Sequence, residues 1–279
     1  MKRTLTFIAI LSLAFVSCNK EATDAVLSPQ EIVIDVEGDG IVAEVTTKTT
    51  AVTSMPSSLY FAGTTGSNTS QVSKWSSTSK TVSSSKISTG YYQTATATSY
   101  NYYLSNCSMT TAAAGCSITA DGASIDAIAG VTKATTSATP SVTLGHVFGR
   151  TGALSCSCSG YTMSNVTYSL VSKGSNTGTK GTYNIYSGAW SSCTALPSTT
   201  ITSSSDKYLI PGTYTLSVSG TRTKGDYSAS VSGTADITIT AGKIHNINVT
   251  FTGDPAAQIV VTTSLTAWSE TTLTPTINK

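Results

Sequence analysis

Charged residues are scarce in this chain of 279 residues. They make up 11% of the sequence, against about 25% in an average soluble domain, and no acid occurs between positions 45 and 120. Serine and threonine instead occupy 95 positions, so hydroxyl groups must keep the surface hydrated. Because the branched Cβ of threonine stiffens the backbone and suits a half-buried pleated surface, this composition favours strands. We therefore expect an all-β protein.

Histidine is scarce too, and the patterns typical of enzymes are absent. His146 lies in an apolar strand pattern with no acid near it in the sequence, and His245 follows a predicted turn, so we expect structural roles for both. The segment GSNTGTKGT, 174–182, lacks the spacing of a phosphate-binding loop, and ADGASID, 120–126, lacks the alternating oxygen ligands of a calcium loop. We predict no enzyme activity, no catalytic residue and no cofactor.

The cysteines lack the spacing of a metal site. A zinc site needs paired C-x-x-C spacings at a regular interval, and the cysteines beyond position 18 do not supply them, so no metal is predicted. They are Cys107, Cys116, Cys156, Cys158 and Cys193. In an exported chain these thiols could oxidise, but their odd number leaves at least one free, and the sequence does not decide their disulfide state.

The N-terminal segment MKRTLTFIAILSLAFVS, 1–17, has the two basic residues and the apolar run of a secretory signal, and it is too short for a transmembrane helix. Cys18 follows at once and resembles a bacterial lipobox cysteine, which predicts cleavage before it and lipid attachment to its sulfur. The alternative is an ordinary secreted protein with an incidental Cys18. Without residues 1–17 the chain has 14 basic and 14 acidic residues, so it has no basic surface for nucleic acid.

Beyond a polar tether at 18–30, the chain length and a break near Pro140 predict two domains, 31–138 and 139–279. In the first, EIVIDVEGDGIVAEV, 31–45, alternates apolar and polar residues on both sides of GDG, which predicts a hairpin. In the second, short strand-like segments recur at intervals of roughly ten residues, which predicts a sandwich or a Greek-key barrel. Two of these segments are YSASVSG and ADITIT, and AGK, 241–243, is predicted to join ADITIT to the next strand in a tight hairpin.

A cluster of tyrosines around position 97 has two interpretations. The rings could form a platform that stacks sugars, or they could pack across neighbouring strands, which is the interpretation we favour. They are Tyr91, Tyr92, Tyr100, Tyr102 and Tyr103.

Several segments together resemble the fimbrillin family of Bacteroidetes, which comprises lipoprotein-derived pilins and pilus-associated subunits. The resemblance rests on the order and spacing of these segments over nearly the whole chain. They are Cys18 with the acidic strand after it, TTKTTAVTS (46–54), SVTLGHVFGRTGALSCS (141–157), LIPGTYTLSVSGT (209–221), ITAGKIHNINVTFTG (239–253) and SLTAW (264–268).

The resemblance implies two tandem β-sandwiches of transthyretin-like topology, exported as an outer-membrane lipoprotein that joins other pilus subunits and supports adhesion to a host or bacterial surface receptor. In polymerising members a protease cuts after a basic residue and frees the first strand, and a strand of the next subunit fills the groove. Here Lys48 corresponds to the cut and 258–277 to the donor. The removable strand corresponds to Ile32, Ile34, Val36, Ile41, Ala43 and Val45.

This chain departs from the family at the cut, where relatives carry arginine. Its only arginines are Arg3, Arg150 and Arg222, so processing needs a protease that accepts lysine. Without processing the protein would stay capped, as an anchor or a solitary surface lipoprotein. The alternative function is a glycan-binding surface lipoprotein that uses the tyrosines between Tyr91 and Tyr103 and does not polymerise.

Overall fold

The computed structural model describes residues 29–38, 54–67, 69–93, 98–203, 207–252 and 258–267. Within these ranges the regular elements are strands, which confirms the all-β prediction, and no helix is long and apolar enough to cross a membrane. The strands are β1 (Gln30–Gly38), β2 (Ser58–Thr65), β3 (Val72–Thr81), β4 (Lys86–Gln93), β5 (Tyr100–Ser105), β6 (Met109–Ala112), β7 (Gly115–Asp121), β8 (Ile128–Thr135), β9 (Ser141–His146), β10 (Gly149–Cys158), β11 (Thr162–Ser172), β12 (Lys180–Asn184), β13 (Ala189–Thr194), β14 (Thr199–Ile201), β15 (Tyr208–Leu209), β16 (Gly212–Lys224), β17 (Tyr227–Ile239), β18 (Lys243–Thr252) and β19 (Gln258–Ala267).

The first sheet has seven strands in the order β3-β2-β5-β8-β9-β1-β4. Its neighbouring strands are antiparallel, except that β1 runs parallel to β9. Side chains from all seven strands meet in one core, so the sheet curls over itself. This first core contains Ile32, Ile34, Val36, Leu59, Phe61, Trp75, Ile87, Tyr100, Tyr102, Leu104, Ile128, Val142 and Leu144.

A second sheet, β13-β12-β7-β6, covers the opposite face of β2, β5 and β8. The core between them includes Ala62 and Tyr103 from the first sheet and Ile118 and Ile185 from the covering side. The predicted domain boundary at 138/139 falls between β8 and β9, which pair with each other, and β12 pairs with β7. The division into two tandem domains stays a prediction.

The remaining strands form two facing sheets, β15-β10-β18-β19 and β14-β11-β16-β17. Leu170, Leu216, Ile247 and Phe251 lie in the core between them. The strand β17 is continuous where the sequence predicted two strands, because Gly233 pairs with Val218 within the ladder.

The prediction of a tight hairpin at AGK, 241–243, is wrong, since β17 and β18 belong to different sheets. Gly242 has a positive φ of 65° and donates its N–H to the carbonyl of Phe148 at 2.8 Å. This bond anchors a connection that crosses from one sheet to the other, so the turn does not close a two-stranded ladder.

Candidate functional site

The strand β1 lies inside the first sheet, with a ladder on each side. It pairs in antiparallel fashion with β4 and in parallel fashion with β9. Two further backbone bonds fix its path: Val33 N–H donates to Ala138 and Asp35 N–H donates to Pro140, both at 2.9 Å. Both edges of this strand are therefore satisfied, as a strand in the interior of a sheet requires.

The inward face of β1 is apolar and completely buried. Ile32 and Ile34 have no exposed surface and Val36 is 4% exposed, which confirms the predicted alternation over this stretch. Below them the first core presents Phe61, Ile87 and other large apolar side chains. The seat of β1 is therefore an apolar groove flanked by the backbones of β4 and β9.

The outward face of β1 is acidic and contacts both flanking strands. Asp35 forms an ion pair with Lys86 of β4 at 3.2 Å, and Glu37 accepts a hydrogen bond from Thr143 of β9 at 3.3 Å. Glu31 accepts hydrogen bonds from the hydroxyl of Ser88 and from the N–H of Gly90, and these bonds hold the pKa of its carboxyl below the ordinary value. Polar contacts on this face thus complement the apolar contacts on the other.

Several predicted positions lie outside the described residues. These are Cys18, Lys48 and the second half of the predicted hairpin with Ile41, Ala43 and Val45. The described chain leaves β1 at Gly38 and resumes at position 54, before β2. The predicted cut therefore falls in the connection between β1 and the rest of the fold.

The five tyrosines do not share one exposed surface. Tyr100 and Tyr102 are buried in the first core and Tyr103 in the second, because successive residues of β5 point to opposite faces. Tyr91 is partly buried, and only Tyr92, 57% exposed, presents most of its ring to solvent. Burial raises the pKa of Tyr102 above its ordinary value and that of Tyr103 to about 12.

Three of the five tyrosine rings pack around a tryptophan, as the favoured interpretation predicted. The ring of Trp75 lies 5.6 Å from Tyr91, 5.2 Å from Tyr100 and 6.0 Å from Tyr102, measured between centroids. These separations are typical of aromatic pairs in protein cores. With three of the five rings enclosed, a sugar could not stack on this set without opening the core.

The two histidines are both buried, and one has an acid partner that the sequence did not reveal. His146 Nδ1 lies 3.0 Å from a carboxylate oxygen of Asp126, which is also fully buried. The two residues are 20 positions apart and meet because β8, which follows Asp126, pairs with β9. The pattern of Val142, Leu144 and His146 on one face of β9 was the only sequence signal for this position.

His245 is held as a neutral ring. Its Nε2 accepts a hydrogen bond from the N–H of Thr240 at 3.1 Å, so Nδ1 carries the proton and donates to the carbonyl of Arg150 at 3.2 Å. Burial lowers the pKa of His245 below its ordinary value. A ring that accepts a backbone hydrogen bond cannot take up a proton without losing that bond.

The five cysteines that lie within the described ranges are free thiols. Cys116 is buried, and this burial raises the pKa of its thiol to about 11. Over the same ranges no cluster of three or more histidine, cysteine, aspartate or glutamate side chains could hold a metal ion.

Comparison with known proteins finds similarity in the three-dimensional fold and no match by sequence. No protein-family model and no curated protein matches the sequence. A fimbrial protein from Bacteroides vulgatus has a TM-score of 0.53 at 10% identity, over 86% of this chain and 100% of its own. A protein described as a candidate cell adhesion protein from Parabacteroides distasonis has a TM-score of 0.54 at 11% identity, and the match covers 86% of this chain and 98% of that protein. A fimbrilin from Porphyromonas gingivalis has a TM-score of 0.43 at 9% identity, and the match covers 90% of this chain and 99% of that protein.

The two neighbours with TM-scores above 0.5 are a fimbrial protein and a candidate cell adhesion protein of Bacteroidetes, which confirms at the level of the fold the resemblance that the sequence motifs indicated. The chain therefore has the fold of a fimbrial protein of this phylum.

Proposed function

We propose that this protein is a structural subunit of a surface fimbria, that it polymerises by strand exchange, and that it supports adhesion. The neighbours of the same fold are fimbrial and cell adhesion proteins, not enzymes. The observation that carries the proposal is the seat of β1, whose buried apolar face lies between two paired neighbours.

The connectivity of β1 makes it suitable for exchange. A cut at Lys48 would separate β1 from every other strand described, because all of them follow that position in the chain. The strand would then be held by non-covalent contacts alone. Its loss would leave the edges of β4 and β9 with unpaired N–H and C=O groups, which an incoming strand can satisfy.

The same contacts explain why a strand inserted in this groove would dissociate slowly. Full burial of an Ile or Val side chain contributes about 1.5–3 kcal/mol, so the three inward residues of β1 together contribute roughly 5–9 kcal/mol. Each backbone hydrogen bond adds a net ~0.5–1.5 kcal/mol. An incoming strand with apolar residues at alternate positions would recover both contributions.

The proposed donor is the C-terminal segment 258–277, of which the structure describes β19. This strand lies at the edge of its sheet and pairs through ten positions with β18 only. A strand held by one ladder is easier to displace than one held by two. Val261 packs against the core of its own sandwich, so release of β19 would have a cost there.

The position of the arginines supports a protease that accepts lysine. Arg150 lies in β10 and Arg222 in β16, and both strands are paired on two sides. Arginine is absent between 39 and 57, so an arginine-specific protease would find no site in the connection after β1. A subunit that meets only such a protease would stay capped as an anchor or a solitary lipoprotein.

We further propose that a lipid on Cys18 anchors the protein at the outer membrane, with other fimbrial subunits and a surface receptor as partners. The sequence features that support this are the signal segment and the cysteine directly after it. Two or more acyl chains suffice for stable anchoring. Mass spectrometry of the membrane-extracted protein, compared with a Cys18→Ala variant, would detect or refute the lipid.

Limited proteolysis tests the exchange proposal directly. The purified precursor is treated briefly with trypsin, the new N-terminus is read by mass spectrometry, and unboiled samples are analysed for SDS-resistant oligomers. We expect cleavage after Lys48 and a ladder of oligomers in the wild type, and neither in Lys48→Gln. The matched control is Lys74→Gln, which changes an exposed lysine within the paired strand β3 and should leave both results unchanged.

A competing peptide tests the groove itself. A synthetic peptide of residues 29–45, added in excess during cleavage, should occupy the seat of β1 and suppress the ladder. The same peptide with aspartate in place of Ile34 should have no effect, because a carboxylate cannot enter the apolar groove. A ladder that persists in Lys48→Gln, or one that the wild-type peptide does not suppress, would refute exchange at this site.

A further inference from the structure

A cluster of aromatic and basic side chains lies at one end of the two facing sheets that contain β10, β11, β16 and β17, and it includes no residue of the first sheet. Tyr161 comes from the turn between β10 and β11, where Gly160 adopts a positive φ of 73°. Arg222 and Lys224 end β16, and Tyr227 begins β17, directly opposite Lys224 in the ladder. We call these four residues the tyrosine–arginine cluster.

The arginine lies against both rings. Its guanidinium carbon is 4.6 Å from the ring centroid of Tyr161 and 5.5 Å from that of Tyr227. Arg222 Nη2 also donates a hydrogen bond to the hydroxyl oxygen of Tyr227 at 3.2 Å. The ring centroids are 6.0 Å apart and the rings are inclined by 57°, so the two rings and the guanidinium are in mutual contact.

The cluster combines a buried arginine with an exposed tyrosine. Arg222 is only 2% exposed, whereas Tyr227 is 48% exposed and is one of three large hydrophobic side chains with that degree of exposure in the described chain. Because Tyr227 accepts from Arg222, its own hydroxyl hydrogen remains available to donate to a ligand. Residues in turns at the end of a rigid sandwich commonly form binding sites.

The charge at this end favours an anion. Lys224 is exposed, its ammonium lies 5.6 Å from the Tyr161 ring, and it makes no ion pair with any described residue. Arg222 and Lys224 bring two positive charges, and the exposed Asp226 in the turn brings one negative charge, so the local balance is positive. This contrasts with the electrically neutral chain that remains after residues 1–17.

The cluster lies at the end of β16 opposite to Tyr214. Arg222 lies eight residues beyond Tyr214 along β16, or roughly 27 Å at about 3.4 Å per residue. Tyr214 marks the opposite end of the strand, where its hydroxyl contacts the backbone of Gly178 and Ile210. No member of the cluster belongs to β1, β4 or β9, so ligand binding there does not require the removal of β1.

We propose that the tyrosine–arginine cluster binds a sugar that carries a carboxylate. The exposed ring of Tyr227 offers a flat apolar surface for the C–H face of a pyranose ring, and its hydroxyl offers a hydrogen bond. The ammonium of Lys224, supported by the positive field of Arg222, offers a partner for the carboxylate. Uronic acids of polysaccharides and sialic acids of host glycans share this chemistry.

Titration of the uncut full-length chain with defined saccharides tests the proposal. The probes are digalacturonate and 3′-sialyllactose, with lactose as the neutral control and acetate as the control for a simple anion. We expect weak, salt-sensitive binding of at least one acidic sugar, with Kd on the order of 1 mM, and no binding of lactose or acetate up to about 10 mM. Which acidic sugar binds identifies the source of the ligand.

Two variants locate the binding. Lys224→Gln, at an exposed position that leaves the fold intact, should weaken acidic-sugar binding about tenfold, and Tyr227→Ala should abolish it. Tyr92→Ala and Lys74→Gln are matched controls on another sheet and should change nothing. The Lys48→Gln chain should bind as the wild type does, which separates this proposal from strand exchange. Absence of acidic-sugar binding, equal binding of lactose or acetate, or full binding in Lys224→Gln would overturn the proposal.

Discussion

Truncation of Ile34 tests whether β1 is seated as described. The side chain has no exposed surface and points into the first core, so Ile34→Ala removes buried methyl groups and leaves a cavity. Such a change costs about 2–5 kcal/mol in the free energy of unfolding. The matched variant is Val33→Ala, one position earlier on the half-buried outward face, which should cost less than about 1 kcal/mol.

The assay has two parts. Urea unfolding of the uncut protein gives the free energy of unfolding of each variant, and the midpoint should fall much further for Ile34→Ala than for Val33→Ala. After cleavage, the same loss should weaken retention of the freed strand by about thirtyfold or more, since each 1.4 kcal/mol changes an equilibrium constant tenfold. The freed segment is measured by size-exclusion chromatography and mass spectrometry.

The result that refutes this reasoning is equal behaviour of the two variants. If Ile34→Ala and Val33→Ala lose similar stability, the inward face of β1 does not lie in the core. If Ile34→Ala destabilises the uncut protein but the freed strand is retained as in the wild type, the apolar contacts do not hold the strand after cleavage.

Three further predictions concern buried polar groups. Because burial lowers the pKa of His245, the unfolded chain binds the proton more readily than the folded chain does. The free energy of unfolding should therefore fall as the pH drops below about 6.5, by at most ~1.4 kcal/mol per pH unit. Urea midpoints measured at several pH values should depend less on pH in His245→Gln than in the wild type, and an equal pH dependence would contradict the assignment. Tyr214→Phe should lose about 1–3 kcal/mol, because the Tyr214 hydroxyl bonds to Ile210 at 2.7 Å and to Gly178. Tyr102→Phe should be neutral or stabilising, because that hydroxyl is buried without a hydrogen-bond partner among the described residues; a large loss in Tyr102→Phe would contradict this reading.

Local patterns in the sequence predicted the strands that have one apolar, buried face and one polar face. The alternation of Ile32, Ile34 and Val36 is a period-two signal with one buried face, and it predicted β1 correctly. The break assigned at Gly233 was wrong, because a glycine that pairs inside a long ladder leaves the same local signal as a glycine in a turn. The neighbours of β1 could not be predicted, since the parallel pairing with β9 joins segments over 100 residues apart.

Contacts between distant segments explain what else the sequence did not reveal. Asp126 and His146 are separated by a whole strand, and Tyr161 reaches Arg222 only through the pairing of β11 with β16. No local motif marks either pair. The tyrosines of β5 gave a clear aromatic signal, but the position of the second sheet decided that both faces of this strand are buried.

The flanks of β1 have a consequence for the direction of any fibre. Because β1 is parallel to β9 and antiparallel to β4, those two flanks run in opposite directions. A strand inserted between them always forms one parallel and one antiparallel ladder, and reversing it only exchanges the two. Backbone pairing alone therefore does not select the direction of insertion, so the polarity of a filament would have to be encoded in the side-chain pockets beneath Ile32, Ile34 and Val36.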